Sequence, residues 1–236
     1  MSPFLRWLEN EVQIVALSFM GLVYTLRLIW ILRFRSRGER TFPAGSAAAG
    51  VFHSLLNIAL PWTMESTRRH PFFYLQFIFF HLGVATAIGL SFVIPYWPEL
   101  LLRPGAVLFF RILLVGALLV GLIRLWRRIT KPAVRLISTI DDFLSLVLVD
   151  LFFVAALAAA PNRFQQSEWP LIAFFILTAL LLIYVPFSKI GHYFYYPFSR
   201  FFFGRQLGHR GVVAKRSRPD PPSSGHIPDP EAPGER

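Results

Sequence analysis

Five long apolar runs dominate the chain, at about 12–34, 71–96, 105–126, 142–160 and 169–188. Each comes close to or exceeds the roughly 20 residues a helix needs to cross a bilayer. Pro95, Pro104, Pro161 and Pro170 stand at or near the ends of these runs, where a helix can stop or start without losing an internal hydrogen bond. Tyr74 and Tyr96–Trp97 bracket the second run, and Trp169 and Tyr193 bracket the fifth, as interfacial aromatic anchors do. The pattern predicts an all-α chain whose five helices form a transmembrane bundle.

Between the first two runs, residues 45–64 (GSAAAGVFHSLLNIALPWTM) are apolar but interrupted by Asn57 and Pro61. The segment reads as a helix lying at the membrane surface, with a re-entrant segment as the alternative. From Ser217 onward the chain holds six prolines and no aromatic residue. The expected organisation is a membrane domain over 1–205, followed by a basic, then Pro-rich, disordered tail over 206–236. No internal repeat and no soluble domain is evident.

Composition agrees: 55% of the 236 residues are hydrophobic, 16% are charged, and Phe occurs 25 times. Mean hydropathy is +0.52. The net charge of +11 would suit nucleic acid, but the basic residues cluster at the ends of the apolar runs, which excludes that reading. The first loop carries Arg33, Arg35, Arg37, Arg40, Arg68 and Arg69, and the third carries Arg127, Arg128, Lys131 and Arg135. Eight more basic residues lie from Lys189 onward, while the opposite side holds Arg6, Arg103 and Arg163. Eighteen against three predicts an outside N-terminus and a cytoplasmic C-terminus. Glu9 and Glu11 beside Arg6 do not resemble a signal peptide, so the first run is expected to stay in the mature protein.

Without cysteine the chain can form no disulfide, hold no iron–sulfur cluster and attach no haem covalently through C-x-x-C-H. No nucleophile–base pair, phosphate loop or paired-carboxylate site stands out. Six histidines remain. His81 lies about 10 Å inside the second run, seven residues past Tyr74, where a polar group is expensive and usually functional. His192 closes the fifth run on the same side. Two such residues can clamp a haem iron from both faces. They can equally be a helix-to-helix hydrogen-bond donor and an interfacial residue. His70 sits at a helix entrance nearer the level of His192. It is the alternative ligand, or a solvated group. His53 reads as interfacial, and His209 and His226 as tail residues. Two charges lie within the membrane runs. Arg111 and Asp150 are on successive, antiparallel runs, which predicts either a proton- or quinone-linked pair, a structural salt bridge, or an Arg111 that snorkels outward. Arg27 and Arg124 near inner helix ends are expected to snorkel or to meet a haem propionate.

The segment IYVPFSKIGHYFYYPFSRFF (183–202) resembles the end of the last helix of the respiratory nitrate reductase gamma subunit, whose P-F-[ST]-[RK]-x-x-H pattern supplies an axial haem b ligand. Pro186, Phe187, Ser188, Lys189 and His192 fit it. FIFFHLGVATAIG (77–89) resembles that family's F-H-x-G helix, the source of the partner ligand, through Phe80, His81 and Gly83. WRRITKPAVRLISTIDD (126–142) resembles its cytoplasmic loop before the fourth helix. PWTMESTRRHP (61–71) resembles relatives in heterodisulfide reductase-like complexes and in the membrane complexes of sulfate reducers.

The resemblance implies His81 and His192 as axial ligands of non-covalent haem b. It also implies a quinone as one redox partner and a cytoplasmic, heterodisulfide reductase-like iron–sulfur subunit as the other. In that family the second haem's ligands stand where this chain has Ser91 and approximately Phe174, neither of which can ligate iron, so one haem is expected. The expected function is electron transfer in the cytoplasmic membrane, as the quinone-reactive subunit of an oxidoreductase complex rather than an enzyme alone. A haem-free membrane anchor is the alternative.

Overall fold

The computed structural model describes residues 1–34, 41–60, 62 and 65–212. The expectations placed on Arg35, Arg37, Arg40, Pro61, His226 and the tail from 213 lie outside the described residues. All regular elements among those described are helical. They are α1 (Pro3–Arg33), α2 (Ala47–Ala59), α3 (Pro71–Tyr96), α4 (Pro104–Thr130), α5 (Ile140–Ala159), α6 (Trp169–Tyr184) and α7 (His192–His209), joined by short helical turns. Helices α1, α3, α4, α5 and α6 with its terminal turn to Phe187 are each long and apolar enough to cross a membrane. The smallest spans 19 residues, about 28 Å at 1.5 Å per residue, which matches a hydrocarbon core of about 30 Å. This is a multi-pass membrane protein.

The boundaries have local causes. α1 begins at Pro3, nine residues before the apolar run, because Ser2 caps it by accepting from the Leu5 amide and Pro3 fills the first-turn position. Charged residues hid this extension: α1 passes Glu9 and Glu11 in a π-helical turn, Leu8–Val12. Pro71 and Pro104 start α3 and α4 in the same way. Thr139 and Asp142 form a capping box at the start of α5. At Pro186, which has no amide hydrogen, α6 tightens into a short turn and stops.

The chain divides into two compact units. The first comprises Met1–Arg37 and Pro61–Tyr195. In it α3, α4, α5 and α6 pack in chain order as an up-and-down bundle, and α1 lies against α6. α1 and α6 run in the same direction, since Gln13 of α1 donates to the Phe175 carbonyl in the first half of α6, and Tyr24, further along α1, meets the Tyr193 hydroxyl past the end of α6. Lipid on the outside removes the usual advantage of burying apolar groups, so helix contact rests on dispersion and close approach. At Gly83 a Cβ would lie 2.0 Å from the Ala117 Cβ, so only glycine lets α3 and α4 approach this closely.

The second unit comprises Gly38–Leu60 and Tyr196–Arg236. The aromatic run after His192, interrupted by Pro197, gave no helical signal in the sequence, yet α7 continues to His209. Its partner α2 explains this. Gly204 and Gly208 meet Gly50 so closely that a Cβ at any of the three would fall within 2.8 Å of the facing backbone. Ser54 donates to the Arg200 carbonyl and Arg200 returns a bond to the Ser54 carbonyl.

Candidate functional site

In the first unit, the chain's start and the turns at 96–104 and 160–169 share one end of the bundle. The other end carries the loop from α4 to α5 and the turns after α6. Toward this second end the structure brings His81 and His192 together, with ring centroids 6.4 Å apart and ring planes at 86°. Both rings are exposed. His81 Nδ1 is hydrogen-bonded to the Phe77 carbonyl at 2.8 Å, and His192 Nδ1 to the Lys189 carbonyl at 2.9 Å. A carbonyl only accepts, so each Nδ1 carries a proton, and in the neutral ring Nε2 keeps its lone pair. Among the described residues neither Nε2 has a partner.

Two imidazoles on neighbouring helices could hold one metal between them. A first-row metal–imidazole bond is about 2 Å, and a ring nitrogen lies about 1.2 Å from the centre of a ring with bonds of about 1.33 Å. Two rings on opposite sides of one metal therefore stand about 6.3 Å apart, close to the observed spacing. Among the described residues no cluster of three or more His, Cys, Asp or Glu could hold a metal ion.

The His192 ring is oriented by Lys189 together with Asp141 and Asp142, two residues to which the sequence assigned no role. Lys189 donates its backbone amide to Asp141 at 2.8 Å and its ammonium to Asp142 at 2.6 Å, and its own carbonyl receives His192. Asp142 is also bonded by the Thr139 amide and hydroxyl and lies 3.6 Å from Arg128. Asp141 accepts from the Tyr184 hydroxyl, which also bonds Ser145. The start of α5 thus grips the turn that carries His192. The pair Asp141–Asp142 was visible as the end of WRRITKPAVRLISTIDD; its role needed the fold, which folds residue 189 back onto residue 142.

Two arginines flank the histidines without an ion pair among the described residues. The Arg124 guanidinium lies 4.7 Å over the Phe80 ring, and Phe80 lies 6.1 Å from His81. Arg27 donates to the Tyr195 hydroxyl at 2.7 Å and lies 5.3 Å over Phe187. His70 is the exposed residue preceding α3, edge-on to Phe73 at 6.0 Å and about 16 Å along the axis from His81. His53 is exposed on α2. His209 in α7 is bonded through Nε2 to the Thr41 carbonyl.

Arg111 and Asp150 are not brought together. Asp150 packs against Gly121, where a Cβ would lie 1.8 Å from Oδ1. Arg111 is ten residues earlier on α4, about 15 Å along the axis, and its side chain is exposed. Antiparallel neighbours share a level only where their residue numbers run in opposite senses, and here Arg124, one turn past Gly121, is the α4 cation nearest the level of Asp150. At the other end of the bundle, Ser91 donates to the Ile88 carbonyl, and Phe174 is fully buried, stacked on Phe152 at 5.4 Å.

Over 163 residues the chain is 28% identical to a protein of Nitratidesulfovibrio vulgaris described only as "Protein", a match covering 64% of this chain and 68% of that one. No family profile matches the chain, and no solved structure matches it.

Proposed function

We propose that this protein is a membrane electron-transfer subunit that binds one non-covalent haem b between His81 and His192. It exchanges electrons between a quinone pool and a cytoplasmic iron–sulfur subunit of the heterodisulfide reductase-like kind. The observation that carries the reading is the facing pair: two imidazoles at axial spacing, each with Nδ1 tied to a backbone carbonyl and Nε2 free. The resemblance to the nitrate reductase gamma subunit at these same residues supports it.

When bound, the group supplies a one-electron redox centre. The chain's own residues hold it and set its surroundings. His81 and His192 donate Nε2. Asp141, Asp142 and Lys189 fix the His192 ring, and Phe77, 4.0 Å from the His81 ring, covers it. Arg27 and Arg124 are the cations available for propionates. One haem rather than two is the reading because Ser91 and Phe174, at the opposite end, cannot ligate iron.

In this reading the N-terminus is outside and the C-terminus is in the cytoplasm, as the charge asymmetry requires. The membrane is the cytoplasmic membrane. A reporter fused after Arg236 should be active only in the cytoplasm, and a periplasmically active fusion overturns this topology.

The ligand test is absorption and electron paramagnetic resonance of the purified protein. One low-spin haem b per chain is expected. The rings stand at 86° to each other, and two perpendicular imidazoles would give a bound ferric haem a strongly anisotropic low-spin signal. His81→Ala and His192→Ala should each abolish the low-spin spectrum, while His70→Ala and His53→Ala should preserve it. Colourless protein with no reducible band would favour the haem-free anchor.

A further inference from the structure

We propose that Asp150 is a proton site coupled to the electron held between His81 and His192; this rests on the haem reading above. Asp150 is 6% exposed, and neither carboxyl oxygen has a hydrogen-bond partner among the described residues. Its place is made by glycine: any side chain at residue 121 would occupy the position of Oδ1. Burying a bare carboxylate costs several kcal/mol even after relaxation, and intramembrane acids in such positions commonly mark proton relays.

Its electrical surroundings connect it to the histidines. On α4, Arg124 stands one turn past Gly121, which touches Asp150, and its guanidinium lies over the Phe80 ring beside His81; Arg127 and Arg128 follow one turn later. From α3 the titratable group is His81. From α6 no charged side chain faces it: Thr178 is committed to the Phe174 carbonyl, and Tyr184 to Asp141. On α5 itself Asp141 and Asp142 are bound in the turn network described above. Phe80 joins the two regions physically, since its ring lies under Arg124, 6.1 Å from His81 and 5.5 Å from Phe153, one turn beyond Asp150.

An arriving electron adds one negative charge near Arg124, the cation that offsets a carboxylate at Asp150. The compensating step is uptake of one proton from water: an O–H bond forms on Asp150 as the electron arrives from a quinol or a reduced iron–sulfur cluster. The bond breaks and the proton returns to water when the electron leaves. Asp141, Tyr184 and Ser145 form a hydrogen-bonded chain from the helix start to about 7.5 Å below Asp150, five residues along α5.

The test is spectroelectrochemical titration of the purified protein across pH. The midpoint potential should fall as pH rises, approaching about 59 mV for each tenfold change in proton concentration, the one-electron conversion. Asp150→Asn should flatten this slope, and Gly121→Ala, which displaces the carboxyl, should shift its pH window. Wild-type protein also gives an answer should the variants misfold. Its reduced-minus-oxidised infrared spectrum should gain a carboxylic C=O band that moves in D2O. A haem spectrum with a pH-independent potential, a slope unchanged in Asp150→Asn, or no such infrared band overturns this inference alone. Absence of the haem spectrum overturns both proposals.

Discussion

At the end of the bundle that carries the chain's start, Phe152 and Phe174 stack with planes 1° apart, Phe175 lies edge-on to Phe174, and Ala156, Ala159 and Leu171 close around them. Toward the other end, His81 and His192 face each other with both rings exposed, and polar groups are tied in a chain through Asp141, Asp142 and Lys189. The same helices build both. The difference is that the aromatic cluster at the first end is closed by its own side chains, whereas the second end presents two Nε2 atoms without a partner among the described residues. An interior packed to crystal density resists any loss of volume, and a site built for a guest tolerates it but depends on orientation.

The largest effect that could break this comparison is Phe174→Ala. Removing a fully buried ring from a closed core should cost about 3–5 kcal/mol, read as unfolding by SDS in detergent micelles. Phe77→Ala, at the histidine end and half exposed, should cost less than about 1 kcal/mol by the same measure while altering the haem spectrum. Equal losses at both sites would mean that the histidine end is packed as tightly as the other.

Next in size is Asp142→Ala. It does not touch the proposed haem but removes the ammonium partner that holds Lys189, and with it the orientation of His192. Outer-shell partners of this kind typically contribute about 10–100-fold to affinity, so haem dissociation, followed by transfer to an apo-globin acceptor, should accelerate by that factor. Unchanged retention would show that the His192 turn holds itself. Tyr184→Phe is milder. It deletes one donor to Asp141, which keeps the Lys189 amide, and should cost about 1 kcal/mol of stability.

The two ends were unequally legible in the sequence. All five spans could be read, because length and hydropathy are local properties. Their starts were less visible, as Glu9 and Glu11 made the first turns of α1 look like a polar lead-in. His81 could be singled out because a polar residue inside an apolar run is conspicuous, and His192 because it closes the fifth run within the P-F-S-K-x-x-H pattern. The grip of Asp141 and Asp142 on Lys189 could not, because it joins residues almost fifty apart at a helix entrance where acids are ordinary capping residues. α7 was hidden for the opposite reason: its own composition argues against a helix, and the glycine contact with α2 overrides that local preference.

The smallest expected effect tests where charge sits between the two ends. Reading Arg111 and Asp150 as an ion pair treated successive antiparallel helices as if any two interior charges could meet. The register set by Gly121 against Asp150 leaves Arg111 about 15 Å away along α4, exposed and in no ion pair among the described residues. Arg111→Gln should therefore change stability by no more than about 0.5 kcal/mol, as surface substitutions do. It should also leave the haem spectrum unchanged. Combined with Asp150→Asn, its effect should simply add, since sites this far apart with no shared partner couple by less than about 0.5 kcal/mol. Arg124→Gln should instead interact with Asp150→Asn, because Arg124 is the α4 cation nearest the level of that carboxyl. A cycle in which Arg111 rather than Arg124 couples to Asp150 would require α4 to slide by nearly three turns against α5, which the contact between Gly121 and Asp150 forbids.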